Sequence, residues 1–234
     1  MGSDKIHHHH HHMPHLFYGT AQNGEVIFDE REAHHMRVVR LKEGDVIEAT
    51  DGNGFSYTCI LKSLKKKTAA AKIVKVEEKE KEPTEKLSVV VPIGRWERTR
   101  FLIEKCVELG VDEIFFHKFE RSQHEISLDK AKIVVREAAK QCKRYLFPKV
   151  SFLEKLEFSG NVITLDLDAS QNLLDANLEG SITVVVGPEG GFSEKERELL
   201  RSSTTIVSLG KKILRFETAA ILTVGYIALK KQKI

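Results

Sequence analysis

The sequence contains few cysteines and no long apolar segment. Cys59, Cys106 and Cys142 lie far apart and form no Cys-x-x-Cys pair, which argues against a disulfide framework and against a zinc site. We expect all three cysteines to be small apolar residues of the core. No apolar run approaches the length of a membrane span, and no signal peptide precedes Met13. We therefore expect a cytoplasmic protein that makes no membrane contact.

The common nucleotide-binding motifs are also absent, although two glycine-rich segments follow apolar runs: VVVGPEGGFSEKE at 184–196 and LGKKILRFETAA at 209–220. A Walker loop ends in a lysine and a hydroxyl residue that hold phosphates and magnesium. The first segment instead carries Glu189 and Phe192, and a carboxylate repels phosphate. No GxGxxG fingerprint is present either, so nicotinamide-nucleotide and P-loop sites are poor matches.

Composition and charge are those of an ordinary soluble protein, with 41% hydrophobic residues, 30% charged residues and a net charge of +3. This mild positive charge attracts nucleic acid only weakly, so any RNA contact must come from local patches. Residues 1–12 are an expression tag, and we expect the natural chain to begin at Met13. The remaining histidines lack metal-ligand spacing, so we expect no metal site.

Residues 13–82 have the pattern of a small all-β domain. Short β-branched and aromatic runs alternate with turns rich in Gly, Asn and Asp, which predicts a barrel or sandwich whose strands include RVVRL at 37–41. A short helix is expected in the first half of DEREAHHMRVVRLKEGD at 29–45. Beside it, His35, Arg37 and Arg40 collect positive charge that suits either phosphate contact or a solvated face.

Residues 83–234 have the pattern of a parallel α/β domain. A charged linker at 75–86 separates the two domains, and apolar strands then alternate with helical patterns. One predicted helix spans 128–146, with Ile133, Val134, Ala138 and Cys142 facing inward. The two glycine-rich segments fall at the carboxyl ends of predicted strands, where open α/β sheets bind ligands. An acidic glycine turn suits a cationic ligand read by backbone groups, and S-adenosylmethionine is such a ligand.

The same residues carry a family resemblance. GPEGGFSEKE and LGKKILRFETAA resemble the RsmE family of RNA methyltransferases, within the knotted SPOUT superfamily. IEKCVELGVDEI at 103–114, ERS at 120–122, REAAKQCKR at 136–144 and HHMRVVRLKEGD at 34–45 resemble that family in the same order. Together these motifs cover nearly the whole chain after the tag.

The resemblance implies a fold and an activity. The fold is a small N-terminal PUA-like β-barrel for RNA, followed by a parallel-sheet α/β methyltransferase domain with a C-terminal trefoil knot. The activity is methyl transfer from S-adenosylmethionine to N3 of a specific uridine in 16S (small-subunit) ribosomal RNA, either free or in the 30S particle, by a homodimer. Two alternatives remain open: 2′-O-ribose methylation of RNA, and a non-catalytic RNA-binding factor in ribosome assembly.

In such a fold the cofactor lies between three loops: the end of the strand at 162–167, the GPEGG turn and the LGKKILR turn. The predicted cofactor-binding residues are Leu165, Leu167, Gly187, Glu189, Gly190, Leu209, Gly210, Ile213, Leu214, Arg215, Thr218 and Ala219. Leu165 and Leu167 are equally well explained as core residues of their strand. Arg121, Arg136 and Arg144 match basic positions of the family. They are predicted to bind RNA phosphate or to complete the site across a dimer, and the alternative is that they form ordinary surface ion pairs.

Arg215 and Glu217 are the predicted catalytic residues. Neutral uridine N3 carries a proton and is a poor nucleophile, so the site must stabilise the uridinate anion. A guanidinium donates two parallel hydrogen bonds and keeps its charge, which makes Arg215 the first choice for that role. The alternative for Arg215 is an ion pair with Glu217 or Glu189 that shapes the loop. Glu217 is either the base or the residue that orients Arg215.

Overall fold

The computed structural model describes residues 15–234, so the tag, Met13 and Pro14 lie outside the described residues. The chain divides into two compact units. The first runs to Glu82 and also contains Ala139–Phe147, while the second contains Pro83–Ala138 and Pro148–Ile234. The sequence places 139–147 in the second domain because the segment continues a helix there. The tertiary contacts of this segment are with the first unit.

The first unit contains six strands and one helix. The strands are β1 (Leu16–Tyr18), β2 (Thr20–Gln22), β3 (Glu25–Phe28), β4 (Val46–Thr50), β5 (Phe55–Leu64) and β6 (Ala69–Glu78). Helix α1 spans Glu30–Val38. The sheet order is β1-β4-β5-β6-β3-β2, with β1 parallel to β4 and the other pairs antiparallel.

Gly19 links the two edge strands of this curled sheet. Strands β1 and β2 lie at opposite edges of the sheet order, yet only Gly19 separates them along the chain. A Cβ at this position would lie 2.6 Å from both the Ile27 carbonyl oxygen and a methyl carbon of Val26. Glycine is therefore required where the chain bends from one edge to the other. The small N-terminal β-barrel is confirmed.

The barrel core corrects one predicted element. Phe17, Phe28, Met36 and Leu61 fill the interior. Met36 belongs to α1, which continues to Val38, so the predicted strand RVVRL is wrong. The Asp29 side chain accepts a hydrogen bond from the Glu32 backbone N–H and caps the start of the helix. Burial of Met36 in the core stabilises the last turn.

Buried polar contacts integrate residues 139–147 into the first unit. Glu32 is fully buried, and its carboxylate accepts from Lys140 Nζ at 2.9 Å and from the Tyr18 backbone N–H at 2.8 Å. Glu48 is also buried, and it is the centre of a second group of hydrogen bonds. A buried carboxylate requires such partners, since desolvation without compensation costs several kcal/mol, of order 2–7 even for a neutral polar group.

Glu48 accepts three side-chain hydrogen bonds. The donors are Ser56 Oγ at 2.6 Å, Tyr145 Oη at 2.7 Å and Lys143 Nζ at 2.7 Å. Burial would raise the pKa of Glu48, but the bonds from Lys143, Ser56 and Tyr145 outweigh it and hold the pKa below its usual value. Burial and the bond to Glu48 raise the pKa of Tyr145.

The second unit contains a six-stranded sheet, four α-helices and a 3-10 turn. The strands are β7 (Leu87–Pro92), β8 (Glu113–His117), β9 (Lys149–Phe152), β10 (Asn161–Leu165), β11 (Ile182–Val185) and β12 (Thr205–Val207). The helices are α2 (Trp96–Glu108), α3 (Leu128–Gln141, whose last residues belong to the first unit), α4 (Glu194–Ser203) and α5 (Phe216–Lys230), with the 3-10 turn at Leu173–Asp175.

All strand pairs in this sheet are parallel, in the order β12-β10-β11-β7-β8-β9. On one face Val90 and Val185 pack with Leu200 of α4. On the other face Val89 and Val91 lie against α2 and α5. The predicted parallel sheet covered on both faces is confirmed. Strand β9 was not predicted, because it is a short, mostly exposed edge strand without an apolar run.

The chain crosses the strand ends to reach its last helix. Strand β12 pairs with β10 at one edge of the sheet, and Ser208 then hydrogen-bonds Gln171 and Leu173 in the loop after β10. Helix α5 nevertheless packs on α2, over β7 and β11. The return across the ends of β10 and β11 is the connection that the C-terminal trefoil knot requires.

Helix α3 differs from its prediction in length and in its buried face. It ends at Gln141, because Lys143 takes a left-handed conformation with φ 57°. Ala131, Val135 and Ala139 are buried, whereas Ile133 and Cys142 are exposed. Val134 and Ala138 are half-buried, so the predicted inward face is wrong at Ile133 and Cys142. The expectation that Cys142 is a core residue is wrong for the same reason. Cys59 and Cys106 are buried, as expected.

Among residues 15–234, no helix is long and apolar enough to span a membrane.

We predict that Glu48→Gln destabilises the protein in a pH-dependent way. At pH 7 the loss should be about 1–3 kcal/mol, since three donors lose a buried carboxylate. The lowered pKa stabilises the fold above the unfolded value of about 4.3, and this contribution is lost as the pH falls through the folded value. Urea denaturation at several pH values should show the difference from wild type shrinking in acid.

Glu25→Gln is the matched control for this experiment, because Glu25 pairs with an exposed Lys62. Its cost should stay within about 0.5 kcal/mol at all pH values. A difference between wild type and Glu48→Gln that stays constant from neutral to acid pH would contradict the assignment.

Candidate functional site

Three loops leave neighbouring strand ends at one edge of the sheet. Strands β12, β10 and β11 are adjacent and parallel, so the segments after Leu165, Val185 and Val207 emerge side by side. Two of the segments are the glycine-rich turns found in the sequence. The carboxyl edge of a parallel sheet therefore places all three predicted cofactor loops together.

The loop after β10 is hydrogen-bonded to strand β12 and to helix α4. Asp166 donates its backbone N–H to the Val207 carbonyl at 2.9 Å, and its carboxylate accepts from Arg197 of α4 at 2.9 Å. Leu167 follows with its side chain 62% exposed. The ordered backbone thus presents an apolar side chain to solvent beside the strand ends.

The first glycine turn is a closed and well-supported loop. The Gly191 backbone N–H donates to the Pro188 carbonyl at 2.9 Å, and Gly191 takes a left-handed φ of 79°. Ser193 and Glu196 then form a capping box at the start of α4. The second oxygen of Glu196 accepts from the Glu120 backbone N–H at 2.8 Å. The turn is consequently fixed to the segment that follows β8.

The second glycine turn is open and exposed. Gly210 has φ 131° and no atom near the position of a Cβ. Ile213 is 93% exposed, which is unusual for an isoleucine. Arg215 follows as the N-cap of α5, with an exposed side chain. Within residues 15–234, no ion pair or hydrogen bond of the Arg215 side chain is found.

Arg98 of α2 joins the two glycine turns. Its guanidinium lies 3.3 Å from the Glu189 carboxylate in the first turn and 2.9 Å from the Glu217 carboxylate at the start of α5. It also lies over the Phe216 ring, 5.0 Å from the centroid. One planar group with several donors can hold two carboxylates at once. Arg95 adds a longer contact to Glu189, at 3.7 Å.

The predicted cofactor-binding and catalytic residues all lie in the second unit, on or beside these three loops. Leu165, Gly187, Leu209, Leu214 and Glu217 are half-buried, Ala219 is buried, and Leu167, Glu189, Gly190, Gly210, Ile213, Arg215 and Thr218 are exposed. Both predicted ion pairs of Arg215 are absent within residues 15–234, because Arg98 takes Glu189 and Glu217 instead. The roles of these residues stay predictions.

The predicted RNA-binding residues are divided between the two units. Arg121 lies at the first glycine turn and donates to the Gly190 carbonyl at 3.2 Å. In the first unit, Arg37 donates to backbone carbonyls of the turn between β5 and β6. Arg144 donates to the Leu146 carbonyl at 2.8 Å. The remaining three are His35, which contacts the Phe17 ring, the exposed Arg40, and the half-buried Arg136 on α3.

Sequence reasoning missed Arg98, although a signal was present. Arg95 and Arg98 stand at the start of α2, where the helix macrodipole disfavours positive charge. Two arginines at such a position call for a carboxylate partner from elsewhere in the fold. The distance along the chain to Glu189 and Glu217 concealed which carboxylates those are.

The arrangement favours a ligand with both charge and apolar surface. It combines a carboxylate in a glycine turn, exposed Leu167 and Ile213, and the exposed guanidinium of Arg215. Among residues 15–234, no group of three or more His, Cys, Asp or Glu side chains is arranged to hold a metal ion.

Comparison with known families agrees with this fold and site. A family model described as RNA methyltransferase domain matches residues 80–228, and a second model, RNA methyltransferase PUA domain, matches residues 28–74. Ribosomal RNA small subunit methyltransferase E of Aquifex aeolicus is 30% identical over 229 residues, covering 91% of this chain and 98% of that protein. The chain therefore belongs to the RNA methyltransferase family that includes ribosomal RNA small subunit methyltransferase E, and the RsmE resemblance is confirmed.

Solved structures show the same fold. A crystal structure of a predicted RNA methyltransferase from Thermotoga maritima is 98% identical, with a TM-score of 0.90, and covers 94% of this chain and 100% of that chain. Ribosomal RNA small subunit methyltransferase E from Neisseria gonorrhoeae, bound to S-adenosylmethionine, is 27% identical with a TM-score of 0.80. This match covers 94% of this chain and 98% of that chain.

Proposed function

We propose that this chain methylates N3 of a uridine in small-subunit ribosomal RNA, with S-adenosylmethionine as methyl donor. The observation that carries the proposal is the meeting of three loops at the ends of β10, β11 and β12, with the exposed Arg215 at their border. The relatives named for small-subunit methylation, and the cofactor bound to the Neisseria structure, support it.

The residues fit S-adenosylmethionine. Leu167 and Ile213 are 62% and 93% exposed, and an adenine between them would remove apolar surface from water. Gly190 has no side chain to obstruct approach, and Gly210 lies in open space. Glu189 gives the turn a negative charge that favours a sulfonium. We assign the remaining cofactor contacts to the backbone groups of Gly187, Leu209 and Leu214.

Arg215 stabilises the anion that forms on the uridine. When bound, S-adenosylmethionine supplies an electrophilic methyl carbon. N3 gives its proton to solvent water, the N–C bond forms as the C–S bond breaks, and S-adenosylhomocysteine leaves. The negative charge of the uridinate spreads over O2 and O4. An exposed guanidinium with no internal partner in residues 15–234 is available to donate to one of these oxygens.

Arg98 and Glu217 act as positioning residues in this proposal. The ion pair at 2.9 Å holds Glu217 on the side of Arg98, so the Glu217 carboxylate does not neutralise Arg215. Through Glu189, the same guanidinium also fixes the first glycine turn. Arg98 thus offsets two negative charges of the cofactor site and leaves the positive charge of Arg215 for the substrate.

RNA contact, assembly and location follow from the same proposal. Arg121, at the first glycine turn, is placed to meet a phosphate of the bound RNA strand. The exposed face of α5 carries Leu222 and Leu229, at 51% and 65% exposure, and we assign it to a homodimer. A ribosomal RNA substrate places the protein in the cytoplasm.

The proposed reaction can be tested by methyl transfer to purified particles. With labelled S-adenosylmethionine and small ribosomal subunits that lack the modification, label should appear in N3-methyluridine after digestion to nucleosides. Naked small-subunit RNA in a parallel assay separates free RNA from the assembled particle as substrate. Label in a 2′-O-methyl nucleoside would replace the N3 assignment, and RNA binding without transfer would favour an assembly factor.

The catalytic role of Arg215 can be tested by substitution. Arg215→Ala should lower kcat at least about a hundredfold, the scale of losing one transition-state donor, while cofactor affinity measured by calorimetry stays within a few-fold. Arg201→Ala, on the exposed last turn of α4, removes the same charge and should leave kcat unchanged. Near-normal kcat in Arg215→Ala would refute the catalytic role.

The positioning role of Arg98 can be tested in the same way. Arg98→Ala should weaken cofactor binding and lower kcat about tenfold or more, because Glu189 and Glu217 lose the group that holds them. Adding Glu189→Gln should not restore the affinity, because that change also removes the charge that favours the sulfonium. Arg98→Lys should rescue only partly, since an ammonium lacks the planar fork.

Arg100→Ala is the matched control for Arg98. Arg100 lies on the same helix and pairs with Glu104 on the exposed surface. Its loss should therefore change neither the cofactor affinity nor kcat. If Arg98→Ala lowered only the thermal stability and left cofactor affinity and kcat unchanged, the Arg98 bridge would be only structural.

A further inference from the structure

The turn between β5 and β6 carries a concentration of positive charge that the folded core does not explain. Residues 60–72 contain five lysines and no Asp or Glu. Three of the lysines, Lys65, Lys66 and Lys67, are consecutive at the tip and exposed. Adjacent like charges repel and bury nothing, so this tip costs stability unless a partner of opposite charge compensates for it.

These three lysines also differ from most other lysines of the first unit, although Lys42 and Lys72 likewise have no ion pair within the described residues. Lys62, Lys75, Lys79 and Lys81 each pair with a glutamate, as do Lys140 and Lys143. Within residues 15–234, no ion pair is found for Lys65, Lys66 or Lys67. Their ammonium groups are therefore available to an external anion.

Arg37 fixes the backbone of the turn. Its guanidinium donates to the Lys65 carbonyl at 2.7 Å and to the Lys66 carbonyl at 3.1 Å. The Lys65 backbone N–H also donates to the Thr68 carbonyl at 2.9 Å, which closes the turn. The lysines are thus presented from an ordered hairpin, and less backbone entropy is lost when they bind. Arg37 itself, predicted from the sequence to contact RNA, holds the element that carries the lysines.

We propose that this lysine hairpin, defined as Lys65, Lys66 and Lys67 held by Arg37, binds phosphates of the RNA backbone and docks the first unit on its substrate. The proposal rests on the proposed function, because that function supplies the polyanion. Ammonium groups on flexible stems neutralise phosphates without reading bases. The hairpin consequently contributes affinity that is independent of sequence and sensitive to salt.

The test is RNA binding by the full chain at several KCl concentrations, with purified small ribosomal subunits as probe. Replacing Lys65, Lys66 and Lys67 by alanine should raise Kd at least about tenfold at physiological salt. The slope of log Kd against log salt should fall by about 2, the value for three lost phosphate contacts. The value of kcat at saturating particles should not change.

The matched control replaces Lys62, Lys75 and Lys81 by alanine. It removes the same net charge from the same unit, but from lysines that already have glutamate partners. Its Kd should stay within about twofold of wild type. Arg37→Ala, which keeps all three lysines and releases the turn, should weaken binding by an intermediate factor.

The outcomes separate this proposal from the function on which it rests. Equal Kd and equal salt slope for the hairpin variant and the control overturn the hairpin. Loss of binding confined to the hairpin variant supports it, even if wild type transfers no methyl group and the proposed reaction fails. If wild-type protein binds neither particles nor naked RNA, both proposals are overturned.

Discussion

The site depends on one topological constraint: strands β12, β10 and β11 run parallel and end at the same edge. Their following loops must then share a small space, and the chain must cross that space to bring α5 back onto α2. The backbone is ordered there by contacts between loops, such as Asp166 with Val207 and Ser208 with Gln171. The crossing therefore gathers the three candidate cofactor loops in a compact space.

Charge balance is the second constraint on this space. Glu189 and Glu217 come from different loops, and Arg98 neutralises both from a third element. A planar guanidinium can do this with directed hydrogen bonds, whereas separate surface pairs would be weak and mobile. The two arginines therefore differ: Arg98 is engaged with both carboxylates, whereas Arg215 is exposed beside them.

The first unit shows how a chain can combine distant segments in one fold. Ala139–Phe147 belongs to this unit although helix α3 begins in the second. Glu32 and Glu48 are buried carboxylates of the barrel, and Lys140, Lys143 and Tyr145 supply their partners. Without these donors the two carboxylates would remain buried and uncompensated, so the barrel requires the later segment.

The sequence by itself determined the elements with strong local signals. Apolar β-branched runs specified the parallel strands, the Ser193 and Glu196 box specified the start of α4, and two glycine turns located the loops of the site. Tertiary structure alone decided the end of α3 at Lys143, the exposed position of Cys142, the edge strand β9 and the partner of Glu217. The reason is physical: periodicity and capping act over a few residues, whereas burial and ion pairing depend on groups that meet only after the chain has folded.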